Sequence, residues 1–296
     1  MESQPQTGLT APRRRSCAAG LGRLALLTAL AVAMAAPFLW MVMTSLKPLS
    51  EVERGSFAPQ SWQWENYAVV LGLQPPRTGA GRVLDLAFGK WYFNSLLVAG
   101  WVTFLQLLTS SMAGYAFSRL RWRGRDAVFA LYIATMMIPG VVLIVPNYFL
   151  MVKLHLVNTY LGLILPASFG AFGTFLMRQY MLSLPRSLDE AAALDGASKW
   201  HVFVDVILPQ CGPALITLAI FIFLGNYASF FWPLIMIKDS WLQTLPIGML
   251  YFEELYGRQT NLLMAASMLN VVPPIVVFIA LQKFLVRGIQ LGAFRG

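Results

Sequence analysis

Ser187-Leu188-Asp189-Glu190-Ala191-Ala192-Ala193-Leu194-Asp195-Gly196-Ala197, residues 187–197, sets the terms for the whole chain, because it is acidic, small and polar in a strongly apolar setting. Residues 178–211 carry Asp189, Glu190, Asp195 and Asp205, four of the 13 acidic residues, in what reads as a connection between apolar stretches. Ser187 and Glu190 have the spacing of a capping box, in which a serine hydroxyl accepts from a backbone N–H three residues on and the glutamate reaches back. A helix is therefore predicted from Ser187, with Asp189 and Glu190 at the positive end of its dipole and good helix formers from Ala191 to Leu194. Gly196 is placed to end it. Ser198 can start a second helix, and Pro209 is expected to stop that one after Ile207 and Leu208. The product is two short helices joined by a small-residue elbow, outside the membrane. Such a unit is either an ordinary capped loop or a surface on which small alanines let a partner approach, and spacing alone does not choose between them.

On either side the chain turns apolar. Of its 296 residues 57% are hydrophobic and 12% charged, against roughly 25% charged in a soluble domain. Six stretches approach the ~20 apolar residues a membrane helix needs: 24–46, 91–117, 127–152, 161–177, 212–237 and 262–282, none with Asp, Glu, Lys, Arg or His. The predicted fold class is all-α, a polytopic membrane protein with six transmembrane helices. Six spans put both termini on one side, and basic residues mark the cytoplasmic side. Arg13, Arg14, Arg15 and Arg23, then Arg119, Arg121, Arg123 and Arg125, then Arg178, Arg186 and Lys199, then Lys283, Arg287 and Arg295 all fall on the side of the termini, fourteen of the 22 basic residues. The net charge of +9 is read as topological, and no nucleic-acid partner is expected. A rival reading of the N-terminus is a signal peptide cleaved near Ala33-Met34-Ala35; the apolar run continues through Pro37 to Met43, longer than that needs. Residues 47–90, with Pro48, Pro59, Pro75 and Pro76, are expected outside and mostly irregular, with short helices.

Missing chemistry narrows the function. With Cys17 and Cys211 far apart and only His155 and His201, no metal cluster is expected. An ion-coupled carrier commonly uses an ionisable group at membrane depth, and the six stretches have none. No Walker A pattern is present, since Gly89-Lys90 lacks the rest, so ATP as an energy source has to be hydrolysed by another chain. Gly79-Ala80-Gly81 lacks the third glycine of a dinucleotide fingerprint. Ser110, Ser111 and Ser229 have no His or Lys at that depth to activate them, which argues against an intramembrane enzyme.

The run Glu190-Ala191-Ala192-Ala193-Leu194-Asp195-Gly196-Ala197, followed by Ile207-Leu208-Pro209 and Pro213, resembles the EAA loop of ABC importer permeases, the membrane subunits of binding-protein-dependent transporters. Met137-Ile138-Pro139, Asn158-Thr159-Tyr160-Leu161-Gly162-Leu163, Arg178-Gln179 and Leu245-Pro246 are similar to the carbohydrate-uptake branch, and residues 288–296 to the tail of its maltose-type G subunits. The resemblance implies a coupling helix that docks on an ATPase subunit, a role it places on Glu190, Ala191, Ala192, Asp195, Gly196 and Pro209, with Gln290 and Gly292 of the tail reaching between the ATPases. It implies a bacterial or archaeal inner-membrane location with both termini cytoplasmic. It further implies a second, similar permease subunit in a heterodimer, two ATPase subunits that bind ATP and Mg, and an external solute-binding protein. This chain itself would hold no cofactor, and sugar or sugar-like solutes are expected, with amino acids, peptides or a phosphorylated polyol as alternatives.

The expected organisation is an N-terminal tail, 1–23, a permease domain, 24–286, and a C-terminal tail, 287–296. Asn147, Tyr148, Asn226, Tyr227, Phe230 and Trp232 are candidates to line a solute pathway, since amides bond hydroxyls and aromatic faces pack on sugar C–H groups. The competing reading is that these aromatics are interfacial anchors and the amides interhelical bonds. Pro139, Pro146, Pro166, Pro233, Pro273 and Pro274 are expected to interrupt helices.

Overall fold

The computed structural model of the protein describes residues 17–74, 87–256 and 259–293. Arg13 to Arg15, Pro75-Pro76, Gly79-Ala80-Gly81 and the last three residues of the tail lie outside these. Among the described residues every regular element is helical. In chain order the α-helices are α1 Cys17–Ser45, α2 Leu49–Glu53, α3 Glu65–Val70, α4 Phe88–Arg119, α5 Arg125–Ala134, α6 Ile144–Lys153, α7 Tyr160–Ala167 and α8 Ala171–Ser183. They continue with α9 Ser187–Leu194, α10 Lys199–His201, α11 Leu208–Gln210, α12 Gly212–Tyr227, α13 Phe231–Met236, α14 Leu245–Tyr256 and α15 Thr260–Ala293.

Segments of α1, α4 and α15 are long and apolar enough to cross a membrane: Leu21–Ser45, Phe88–Arg119 and Thr260–Lys283. The count reaches six if three bent helix pairs are each one span. The stretches 127–152, 161–177 and 212–237, where prolines are expected to interrupt the helices, are each bent or broken. Arg125–Met137 and Gly140–Lys153 meet at 95°, because Pro139 has no N–H to give and pushes the residue before it out of helical geometry; Ile138 sits at φ −82°, ψ 118°. Tyr160–Ala167 and Ala171–Ser183 meet at 43° through an extended Gly170, where a Cβ would stand 1.8 Å from Gln106 Nε2. In the third pair, Lys199–Gln210 meets Gly212–Tyr227, the apolar helix of the 212–237 stretch, at 77°. That helix ends at Tyr227, and α13 is a separate short helix.

Not every proline interrupts. Pro146 and Pro233 lie in the first turns of α6 and α13, where a missing N–H costs nothing, and Pro273 and Pro274 lie inside the continuous α15. Pro209 also fails to stop its helix. Residues Val202–Ile207 are wound as a π-helix, and this wider winding relieves the clash a proline ring makes with the carbonyl four residues back. The run reaches Gln210 before it turns.

Helix α4 is the central mast. At about 1.5 Å per residue it is longer than the hydrocarbon core, so both ends project. Its middle packs on α8 through glycines: a Cβ on Gly114 would stand 2.8 Å from Met177 Cβ, and one on Gly173 would stand 2.4 Å from Ser110 Oγ. Small residues are what allow such close approach in a membrane. Outside the spans, the 47–66 segment is more ordered than expected. Lys47 is fully buried and donates to the Ser56 carbonyl. Glu51 accepts from the Gln60 and Ser61 amides and the Ser61 hydroxyl. Asn66 Nδ2 bonds the Ser45 and Lys47 carbonyls.

Candidate functional site

The acidic segment folds as two helices around an elbow, with one correction. Helix α9 begins one residue too early for a capping box: the Arg186 carbonyl already accepts from the Asp189 and Glu190 amides. Ser187 is thus inside the first turn and its hydroxyl caps nothing. The C-terminus behaves as read. Gly196 is left-handed at φ +79°, its N–H bonds the Ala193 carbonyl, and the Ala197 N–H bonds the Ala192 carbonyl, the two bonds of a Schellman turn. Ser198 then caps α10, accepting from the His201 amide.

The elbow divides into two faces. Leu188, Ala192 and Ala197 pack against the core. Glu190, Ala191, Ala193, Asp195 and Gly196 face outward, and Leu194 is 90% exposed. Trp200, just past the elbow, is 57% exposed. Leu194 and Trp200 extend the candidate docking face beyond the residues chosen from sequence. Leu194 was legible in the run only as a helix former, and Trp200 lies three residues beyond the end of the run.

Two features of α4 hold this segment from behind. Arg119, in the last turn of α4, forms an ion pair with Asp189 at 2.8 Å. Its second nitrogen, Nη2, donates to the Met181 and Leu184 carbonyls at 2.6 and 3.0 Å, the end of α8, where a cation suits the helix dipole. Tyr115 donates to the Lys199 carbonyl at 3.1 Å. Sequence reasoning missed Arg119 because it counted there only as a topology charge. Pro209 lies beyond the π-helical stretch, away from the elbow in sequence, and Gln290 and Gly292 lie in the last turns of α15.

A second candidate lies at the bends. A cavity of about 230 Å³ is lined by residues including Ser95, Asn147, Asn226, Ser229, Trp232 and Thr244. Three of the six pathway candidates meet there: Asn147, Asn226 and Trp232. The other three do not line it. Tyr227 is buried and donates to the Asn270 carbonyl, Tyr148 packs against the core, and Phe230 meets Phe231 edge-on. Asn226 Nδ2 bonds the Ile222 carbonyl of its own helix, and Trp232 Nε1 bonds the Gly162 carbonyl. Gly162 itself opens α7, where Thr159 caps it. Asn158, left-handed at φ +60°, accepts from the Lys238 and Asp239 amides, so the Asn158-Thr159 pair ties the start of α7 to the end of α13.

Comparison with known proteins agrees with this architecture. The chain is 34% identical over 264 residues to the arabinooligosaccharides transport system permease protein AraQ of Halalkalibacterium halodurans, covering 88% of this chain and 91% of that protein. It is 31% identical over 227 residues to the sn-glycerol-3-phosphate transport system permease protein UgpE of Rhizobium meliloti, covering 76% and 79%. In fold it is similar to a chain of a bacterial ABC transporter involved in the import of the acidic polysaccharide alginate, with a TM-score of 0.79 at 22% identity over 94% of this chain and 100% of that one. Residues 106–291, which contain the elbow, its Arg119 anchor and most of the cavity lining, match the binding-protein-dependent transport system inner membrane component, and the chain belongs to that family of ABC importer permeases.

Proposed function

We propose that this permease moves an uncharged sugar or oligosaccharide across the inner membrane, with both its termini in the cytoplasm. It would act beside a second permease subunit, driven by two ATPase subunits that bind ATP and Mg and fed by an external solute-binding protein. The observation that carries the reading is the elbow. A rigid Schellman turn presents Leu194, 90% exposed, with Ala191 and Ala193 beside it, and an apolar side chain so placed on a polar loop is stabilised once a partner covers it. Closure of the ATPases would draw the coupling segments together and turn the cavity outward, and hydrolysis would reset it.

The cavity supports an uncharged solute. Its lining holds amides, hydroxyls and an indole but no Asp, Glu, Lys, Arg or His, and a phosphorylated polyol would call for a cation in the site. The side chain of Asn147 makes no hydrogen bond among the described residues, which leaves its amide available to a hydroxyl. The first prediction follows. The complex in proteoliposomes, given loaded binding protein, should take up arabino-oligosaccharide or maltodextrin only with ATP, and should refuse glycerol 3-phosphate. Uptake of the phosphate ester alone would reverse the reading of the solute.

A further inference from the structure

We infer that the Arg119–Asp189 ion pair is the link that makes the coupling segment move as one body with α4. Arg119 is thus a positioning residue for transport. The inference rests on the coupling role proposed for the elbow and deepens it.

Three observations converge. Arg119 is 5% exposed and divides its guanidinium between two bodies: one nitrogen holds the Asp189 carboxylate at 2.8 Å, the other holds the Met181 and Leu184 carbonyls. A planar fork with several fixed donors suits this double attachment, and a lysine would supply a single point charge. Second, Tyr115 lies four residues earlier on the same helix face, and its hydroxyl holds the Lys199 carbonyl. The elbow is therefore fastened to α4 on both flanks, at Asp189 before Gly196 and at Lys199 after it. Third, the alternative route from the elbow into the membrane is compliant. It runs through the π-helical Val202–Ile207 and a 77° turn. Helix α4 is one continuous helix from Phe88 to Arg119, and it carries Ser95 and Val98 in the cavity wall, roughly 36 Å from Arg119 along the axis at 1.5 Å per residue. A displacement of the elbow thus reaches the cavity through α4 without crossing a bend.

The second prediction tests this in the assembled complex. Asp189→Asn leaves the Arg119 bonds to α8 in place and removes only the charge that holds α9. Assembly with the partner subunits and basal ATPase activity should stay normal, while stimulation by loaded binding protein and uptake should fall roughly tenfold, the scale of a typical coupling between sites. Asp189→Glu should keep most of both. In an Arg119→Gln background, Asp189→Asn should add no further loss. Stimulation within twofold of normal in the Asn variant, or losses that multiply in the double variant, would overturn the link. Failure of Asp189→Asn to assemble would overturn it too, because the pair would then be holding the fold together. Gly196→Leu, made in parallel, separates the two claims: if it also keeps full stimulation, the coupling role of the elbow fails, and if it alone loses stimulation, only the link fails.

Discussion

The two ends of α4 are fastened in different currencies of interaction. At the N-terminal end, outer in the proposed topology, Trp91 Nε1 bonds the Ser240 carbonyl, Asn94 Nδ2 bonds the Trp241 and Gln243 carbonyls, and Asn94 Oδ1 accepts from Tyr160. Ser95 accepts from the Leu245 amide. Every partner is neutral, and most are backbone. At the C-terminal end, inner in the proposed topology, the fastening is charged: Arg119 pairs with Asp189, and Arg178, which donates to the Phe117 carbonyl of α4, approaches Asp126 at 3.7 Å and lies over the Phe129 ring. Neutral bonds to backbone give a fixed attachment that depends little on salt or pH. The charged attachment instead rests on a single side chain at each end, Arg119 at 5% exposure and Asp189 at 24%, so one substitution releases it.

Breaking the outer end should have the largest effect. Asn94 is completely buried, and Asn94→Leu would leave two carbonyls and the Tyr160 hydroxyl without partners, at about 1–3 kcal/mol for each buried orphan. The third prediction is a marked drop in melting temperature and in yield of assembled complex, read by thermal unfolding in detergent. A variant as stable as the parent would show that the outer attachment is dispensable.

A smaller, pH-dependent effect should sharpen the same contrast beside it. Hydrogen bonds from the Gln60 amide first, then from Ser61, with the Lys47 charge adding, hold the Glu51 carboxyl below its ordinary value. A carboxylate with a depressed folded pKa stabilises the fold above its unfolded value and loses that contribution as the pH falls through the folded one. The fourth prediction is that protease cleavage within residues 47–66 is suppressed at neutral pH and appears on acidification below the ordinary carboxylate range. In Glu51→Gln the acid-dependent step should vanish. Cleavage with the same pH profile in both would remove Glu51 from the account.

The smallest effect belongs to the exposed charges of the inner end. Asp126 is 72% exposed where it meets Arg125 and Arg178, and exposed pairs of that kind contribute little to stability. Asp126→Asn should leave stability and stimulated ATPase activity nearly unchanged, in contrast to Asp189→Asn; a loss as large as that of Asp189→Asn would erase the distinction between the buried and the exposed pair.

What the sequence discloses here is local. Apolar length places α1, α4 and α15, a lone glycine between Asp195 and Ala197 ends α9, and Ser198 opens the next helix, because each depends on a few neighbouring residues. Pro139 is legible as an interruption, but its 95° bend depends on what packs around it. The bonds of Asn94 reach residues 147 and 149 positions away, and no local pattern pairs them. Arg119 carries the same limitation: its charge is visible, but its ion pair with Asp189 exists only once α4 and α9 are side by side. The absent capping box has a smaller cause, since a start one residue earlier is enough to take the Ser187 hydroxyl out of position.

Leu194 also bears on the life of the chain before assembly. A fully covered leucine is stabilised by about 1.5–3 kcal/mol over one in water, so a copy still lacking its ATPase partner displays an uncovered apolar knob on an otherwise polar loop. Chaperones and proteases recognise such surface. In the proposed assembly the side chain that docks would thereby also distinguish a subunit that has not yet met its partner.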